Sequence, residues 1–447
     1  MDTSALESHQ SFPVFVVLDG QKKLPLDRFL SVFADVRAHE GTGALLLAAN
    51  GFLLLSAYYV LKALREALIL TQSTPEGKMY TSAGQALLLL FLVPAYGAFA
   101  ARVVRIRLIS WVTLFFASHL AVFAALGFRG VRVGIPFFLW LGICNMVLVG
   151  QFWAFANDLY DENKGKRLFP LVGGGVALGG LVGAGLEAEL FRSFGPYYLM
   201  LLAGVILASS VVLALLANRS QSRAGSPQER IARARIGGRG GFGLIRSDRY
   251  LFLIAALALL LNLVNTTGEF IMGKLAVAQA SASGGDQLQF LGEFAGRFYS
   301  LQNLMVLILQ IFVVSRVFRY IGVRGALFIL PLIAMGGYAL SLALPILGIV
   351  RIVKGLENST DYSIQNTARQ ALFLPTSREA KYKAKMAIDT FFTRSGDMLA
   401  AALVLVGTRL SLSVQHYAAL NLIFVVAWLG LVVAIVREHK KALPAVA

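Results

Sequence analysis

The sequence predicts an all-α polytopic membrane protein with about twelve transmembrane helices. Of its 447 residues, 57% are hydrophobic and only 15% are charged. The mean hydropathy of +0.69 is too high for a soluble domain. Apolar runs of about 18–25 residues, each long enough to cross a bilayer, recur along the whole chain.

Twelve apolar runs are predicted as spans, six on each side of a polar linker. They cover roughly residues 44–70, 82–102, 108–128, 134–157, 169–188, 197–217, 250–273, 298–317, 323–343, 345–366, 386–408 and 413–436. The predicted divisions are an N-terminal segment (1–42), a six-helix bundle (43–218), a basic linker (219–248), a second six-helix bundle (249–437) and a tail (438–447).

Lysine and arginine are concentrated in alternate loops and in the linker. Short cytoplasmic loops retain positive charge, so this pattern places both termini in the cytoplasm. The same bias explains the net charge of +17, with anionic lipids of the cytoplasmic face as the expected partners. A nucleic-acid partner is therefore not predicted.

The chemistry-bearing residues do not form a catalytic or metal-binding pattern. The only cysteine, Cys144, falls inside a span, which favours a buried small hydrophobic residue. The five histidines are scattered without metal-ligand spacing. There is also no nucleophile–base pairing or nucleotide-hydrolysis motif, so we expect neither an enzyme nor a cofactor.

Before the first span, apolar residues recur at helical spacing with charged residues between them: Leu26, Phe29, Leu30, Phe33 and Val36. This pattern predicts a short helix on the cytoplasmic membrane surface. A soluble packing helix is the alternative.

The first span carries Lys62, Arg65 and Glu66 at positions i, i+3 and i+4, which places them on one helical face. Three such charges cost about 8–10 kcal/mol on insertion scales, so the face should point into a cavity. Snorkelling to the outer interface is the alternative. Tyr58 and Tyr59, one turn below, could stack on a planar ligand or serve in packing.

Glycines follow the fourth span in a run that superficially resembles a phosphate-binding loop. The GxxxxGK[ST] pattern is missing and the run is apolar. The spacing of four at Gly175, Gly179 and Gly183 instead predicts a smooth helix face for close packing in lipid.

Polar residues in the second half form stripes along several spans. They comprise Asn262, Asn265, Thr266, Thr267 and Glu269 in the seventh span, Gln302, Asn303 and Gln310 in the eighth, Glu357, Asn358, Asp361, Gln365 and Arg369 in the tenth, and Asp389, Arg394 and Asp397 in the eleventh. They could bind a ligand or simply join helices.

The two halves also show a coarse symmetry. In each half, an Asn/Asp-bearing helix end, a basic loop and a small-residue helix follow one another between the fourth and fifth spans of that half. Two six-helix halves around a central polar cavity are the expected architecture of an alternating-access transporter.

Several motifs resemble the ATP/ADP translocases of plastids and obligate intracellular bacteria. Leu61-Lys62-Ala-Leu-Arg65-Glu66-Ala-Leu resembles a first-span LRxxKDxL, and Phe152-Trp-Ala-Phe-Ala-Asn157 matches FWxFAN. The seventh span opens with Asn262-Leu-Val-Asn265 (NLVE), the tenth resembles KYSLFDPTKEMAYIP from Asp361 to Pro375, and Lys385 to Asp389 resembles KAAVD. The resemblance implies a major-facilitator-like fold and nucleotide transport across a cell (inner) membrane.

The chain also departs from this family. On the same alignment, Asn265 replaces a glutamate, and Glu269, Asp361 and Asp397 replace lysines. Three basic positions have thus become acidic, which argues against a highly charged nucleotide. Lys62, Arg65, Arg369 and Arg394 remain to pair with one phosphate or carboxylate.

We therefore expect a secondary transporter or exchanger of a nucleotide or another anionic metabolite, acting as a monomer. Lipid or lysolipid transport and a non-transporting sensor or scaffold are the alternatives. The predicted substrate-binding residues are Lys62, Arg65, Asn157, Asn265, Asn303, Asn358, Gln365, Arg369 and Arg394. The predicted gating or coupling residues are Glu66, Asp158, Glu269, Glu357, Asp361, Asp389 and Asp397.

Overall fold

A computed structural model describes residues 24–31, 36–38, 40–100, 103–160, 162–221, 241–373, 375–377 and 380–442. Within these ranges the chain consists of helices joined by short connections and contains no β-strand. The helices before the linker are α1 (Pro25–Leu30), α2 (Gly41–Gln72), α3 (Pro75–Ala100), α4 (Arg105–Phe128), α5 (Gly134–Leu159) and α6 (Glu162–Gln221).

The helices after the linker are α7 (Gly241–Ser247), α8 (Arg249–Ala282), α9 (Gln287–Tyr320), α10 (Gly322–Ala343), α11 (347–371), α12 (380–409) and α13 (Val414–Ala442). Four π-helical turns interrupt them: Leu309–Val313 in α9, Asp361–Gln365 in α11, and Ala380–Ala384 and Ile388–Phe392 in α12. Such turns often occur at functional sites.

Helix α6 has 60 residues, about three times the length that one bilayer crossing requires, and it changes direction at Gly195. Gly195 has φ 68° and ψ 177°, a conformation that glycine adopts without strain, and Pro196 follows it. The break divides α6 into two spans, at the boundary that the sequence predicts.

Among the described residues, nine helical stretches are long and apolar enough to cross a membrane. The two parts of α6, together with α3 and the more polar α11, complete the twelve predicted spans. The prediction of a polytopic all-α membrane protein in two six-helix halves is confirmed. We call the membrane side on which α2 begins and α13 ends the terminus side, and the opposite side the far side.

The short helix α1 packs on the first span. The Gly41 amide donates to Asp27 Oδ1 at 2.9 Å, and Asp27 itself is buried. Leu30 and Val36 belong to the hydrophobic core, whereas Phe29 is exposed. These contacts agree with the packing-helix alternative; Phe33 lies outside the described residues.

The glycine face of α6 lies directly against α2. A Cβ added at Gly175, Gly179 or Gly183 would meet a backbone carbonyl oxygen of α2, at Ala48, Phe52 and Ser56 respectively. The hydroxyl of Ser56 donates to the Gly179 carbonyl at 3.1 Å. The predicted packing function of this glycine run is confirmed.

The two halves meet mainly on the far side. Phe191 of α6 lies against Gly292 of α9, and the Asn303 amide of α9 donates to the Gly180 carbonyl at 3.0 Å. Lys274 of α8 forms a 3.1 Å ion pair with Glu76 of α3. Towards the terminus side, side chains at the inner ends of α5 and α11 are exposed, which indicates a cavity open on that side.

We predict that Gly179→Ala lowers the stability of the folded protein. The added methyl would overlap the Phe52 carbonyl, and overpacking of this kind costs about 1–3 kcal/mol. Thermal unfolding of the detergent-purified protein measures the change. Gly174→Ala, in the same helix, is the control because a Cβ there meets no atom within 4 Å; equal unfolding temperatures for both variants would contradict the prediction.

Candidate functional site

The predicted charged face of α2 points into the protein. Glu66 is buried and accepts from Arg65 at 2.5 Å through one oxygen and from Lys78 of α3 at 2.5 Å through the other. The Arg65 guanidinium also lies 4.4 Å from the ring centre of Phe138. Glu66 is thus balanced by two cations rather than by water, and the snorkelling alternative does not describe this cluster.

Lys62, one turn away, lies among aromatic rings. Its ammonium lies 4.2 Å from the ring centre of Tyr299, 5.3 Å from that of Tyr59 and 6.0 Å from that of Tyr362. We call these three residues the tyrosine cage. Lys62 makes no ion pair in the described part of the chain. Its charge is therefore stabilised by the faces of tyrosine rings from both halves.

Glu269 of α8 faces Lys62 from the second half. It lines a small cavity between the halves together with Glu66, Lys78 and Tyr299. The carboxylate has no ion-pair partner among the residues that the structure describes, and its charge attracts the Lys62 ammonium. Lys62 and Glu269 thus carry opposite charges on opposite halves, where the halves approach each other, and no ion pair joins them in the described structure.

A second charged cluster is buried entirely within the C-terminal half. The Lys354 ammonium donates to Asn265 Oδ1 at 2.6 Å and to Glu357 at 3.1 Å, and the Tyr338 hydroxyl donates to Glu357 at 3.0 Å. Lys354 is fully buried. Asn265 and Glu357 therefore link α8, α10 and α11 through these hydrogen bonds.

Two further predicted residues bridge helices near the midplane. Asn358 of α11 donates to the Gln302 side chain of α9 at 3.1 Å, and the Ser359 hydroxyl donates to the Gln302 carbonyl at 3.3 Å. Asn303 forms the contact with α6 described above. These bonds match the inter-helix alternative, although Asn358 Oδ1 and Gln302 Nε2 have no hydrogen-bond partner in the part of the chain that the structure describes.

Asp397 of α12 joins two elements of the C-terminal half. It accepts from the Thr266 hydroxyl at 2.7 Å and from Arg394 at 3.2 Å. The Arg394 side chain stays one-third exposed. One acidic residue that departs from the translocase pattern is therefore already paired with a retained arginine.

The remaining polar residues of α11 and α12 lie towards the terminus side. Gln365 is buried with neither amide atom hydrogen-bonded, and Arg369 Nε and Asp389 Oδ1 are also buried without partners in the described structure. The Arg369 charge attracts Asp361. Buried groups of this kind are suited to binding water or a polar ligand.

Asn157 and Asp158 do not join these clusters. They are exposed near the terminus-side end of α5. The structure therefore brings most predicted residues to the inner faces of the halves but leaves this pair at the mouth of the cavity.

Two lysines of these clusters, Lys354 and Lys78, are not among the residues predicted from the sequence. Lys354 stands three residues before Glu357 in a span, the same i, i+3 signal that identified the α2 face. Lys78 follows the first span outside any predicted span, and it reaches Glu66 from the next helix.

A curated relative supports the family resemblance in part. The chain is 23% identical over 336 residues to the ADP,ATP carrier protein 1 of Chlamydia pneumoniae. The match covers 64% of this chain and 63% of the carrier, so the chain spans less than two thirds of the relative's length. No family model matches the sequence.

Solved transporters share the fold. A bacterial homologue of the human lysosomal transporter Spinster, inward-facing and unoccupied, has a TM-score of 0.61 at 12% identity, covering 92% of this chain and 99% of its own. The POT family transporter PepTSo (0.63, 12%; 89% and 98%) and the nucleoside transporter NupG (0.59, 14%; 89% and 99%) are also similar. The chain therefore has a major-facilitator-type fold.

We predict that Lys354→Met destabilises the C-terminal half. Removing one member of a buried pair leaves Glu357 unpaired, which costs about 3–5 kcal/mol. The thermal unfolding temperature should fall, and Lys354→Met combined with Glu357→Met should recover part of the loss. Lys441→Met, at an exposed pair with Glu438, is the control. A single variant as stable as the control would refute the assignment.

Proposed function

We propose that the protein is a secondary transporter or exchanger of an anionic metabolite of the nucleotide or phosphorylated class, working by alternating access. The fold supplies two halves around a central polar region, and the similarity to an ADP,ATP carrier supports the substrate class. Glu66 and Glu269, two of the seven predicted gating or coupling residues, would act as gates near the far side.

The observation that carries this proposal is the tyrosine cage. An ammonium without an ion-pair partner in the described structure can exchange ring contacts for a phosphate or carboxylate oxygen. The surrounding tyrosine rings can then stack on a planar group of the same ligand. Tyr362 is 45% exposed, so the cage is open to a ligand.

The charge balance favours a ligand with few negative charges. Arg65 is bound to Glu66 and Arg394 to Asp397, whereas Lys62 has no such partner among the described residues. Glu269 also faces this region and would repel a ligand of high negative charge. A nucleoside monophosphate or a small phosphorylated metabolite fits this balance better than a triphosphate.

The setting of the transporter is also part of the proposal. The basic loops support a cytoplasmic location of both termini, and the terminus side would then be the cytoplasmic face of a bacterial inner membrane. The open cavity would then face inward. We further propose that the chain acts as a monomer, with anionic lipids at its basic face.

We predict that Lys62→Met reduces transport. Loss of one charge-assisted contact, about 1.5–3 kcal/mol, should lower substrate affinity roughly tenfold to a hundredfold. Proteoliposomes supplied with labelled nucleoside mono-, di- and triphosphates and sugar phosphates measure uptake and exchange. Lys62→Arg should retain part of the activity, and the exposed Lys441→Met should retain all of it.

The same assay separates the alternatives. Movement of lysolipid without movement of any anionic solute would support a lipid transporter. The absence of all flux, with signalling altered by Arg65→Ala or Asp397→Asn, would support a sensor. A Lys62→Met protein that transports anions at the original rate would refute the role of the cage.

We predict that the Lys274–Glu76 pair holds the far side closed. The pair is partly exposed, so its loss in Lys274→Glu should shift the balance between closed and open forms by only about fivefold. A cysteine at the buried Gly273, in a Cys144→Ser background, reports opening through its reaction with a membrane-impermeant maleimide. The charge-swapped Lys274→Glu, Glu76→Lys protein should react as slowly as the parent; equal rates in all three proteins would refute the role.

A further inference from the structure

Glu187 is a fully buried carboxyl group in the first span of α6. Its exposed fraction is 0%, and neither oxygen has a hydrogen-bond partner in the described structure. It forms no ion pair there either. None of the transport clusters described above includes it.

The residue lies at the contact between the two halves. A Cβ added at Gly296 of α9 would overlap Glu187 Oε2 and would lie 2.8 Å from the backbone of Ala188. The carboxyl group is therefore pressed against a helix of the opposite half. Because residue 296 is a glycine, the space that a side chain there would fill is available to Glu187.

The charged residues around Glu187 do not neutralise it. The charged neighbour on α9 is Glu293, whose negative charge repels a negative charge on Glu187. Glu293 itself pairs with Arg297 at 3.5 Å and accepts a hydrogen bond from Gln289 at 2.9 Å. On α6, Glu189 and Arg192 are exposed.

Helix α2 presents an apolar residue to Glu187, and its nearest charged residue, Lys62, lies against the tyrosine cage. The contacts of Gly179 with Phe52 and of Gly183 with Ser56 fix a parallel register between α6 and α2. Continuing that register by one turn brings Glu187 level with Val60, an apolar buried residue.

An ionised carboxylate in such a place would cost several kcal/mol, because neither water nor a cation compensates the lost hydration. The neutral acid is the form that this contact can accommodate. When α6 and α9 separate, water reaches the group and the carboxylate becomes the favoured form.

We propose that Glu187 is a proton-binding site that links protonation to closure of the far side. Closing the halves takes up one proton at Glu187, and opening them releases it to the far-side solution. Low pH therefore favours the closed form, and high pH favours the open form. The inference rests on the rocking motion of the proposed transporter but not on its substrate.

The linkage of one proton sets the size of the effect. The ratio of open to closed molecules should rise by at most about tenfold for each unit of pH. Nitroxide labels on Ser193→Cys and Ser283→Cys, both exposed near the far side of opposite halves, report this ratio by electron-spin distance measurement in a Cys144→Ser background. No substrate is added, so failed transport would not obscure the result.

The isosteric Glu187→Gln variant mimics the protonated acid. We expect the short distance at every pH in this variant and a growing long-distance population at high pH in the parent. Glu189→Gln, two residues away on the exposed surface, should behave like the parent. The parent should also show the infrared carbonyl band of a protonated carboxylic acid at neutral pH, and Glu187→Gln should lack it.

Two results would overturn the inference. One is a parent distance distribution that does not change with pH, or a pH response that Glu187→Gln retains. The other is an infrared difference between parent and Glu187→Gln that shows a carboxylate instead of an acid at neutral pH. Either result would make Glu187 a buried residue without a part in opening.

Discussion

Charges inside an apolar bundle need partners, and this requirement determines how the helices of the protein fit together. Glu66 draws Lys78 of α3 and Arg65 of α2 to one point, and Lys354 and Glu357 do the same for α8, α10 and α11. Each cluster lies within one half. The halves are thereby fixed internally by strong interactions, whereas weaker contacts join them to each other, which is the distribution that rocking requires.

The contact between the halves combines close backbone approach with few polar bonds. Glycines allow α6 to lie against α2 within the first half and allow α9 to lie against α6 across the halves. Between the halves, the polar links that the described residues show most directly are the Asn303 bond from α9 to α6 and the Lys274–Glu76 pair from α8 to α3. Such an interface separates at low cost because few polar bonds have to be broken.

Much of the fold could be predicted from sequence because a span is a local property of about twenty apolar residues. The break at Gly195 and the glycine packing face followed from the same kind of local signal. The site was harder to predict, because pairing is not local. Nothing near Lys78 in the sequence indicates Glu66 as its partner, and nothing near Asn265 indicates Lys354. Glu187 was missed for a related reason: its isolation depends on α9, which lies about a hundred residues further along the chain.

The tyrosine cage is assembled from both halves of the molecule. Tyr59 moves with Lys62 in the N-terminal half, whereas Tyr299 and Tyr362 belong to the C-terminal half. Any rotation of one half against the other changes how many rings surround the ammonium. The surroundings of the Lys62 ammonium consequently differ between the two end states of the transport cycle. The difference arises from the rotation of the halves alone, without any change within a helix.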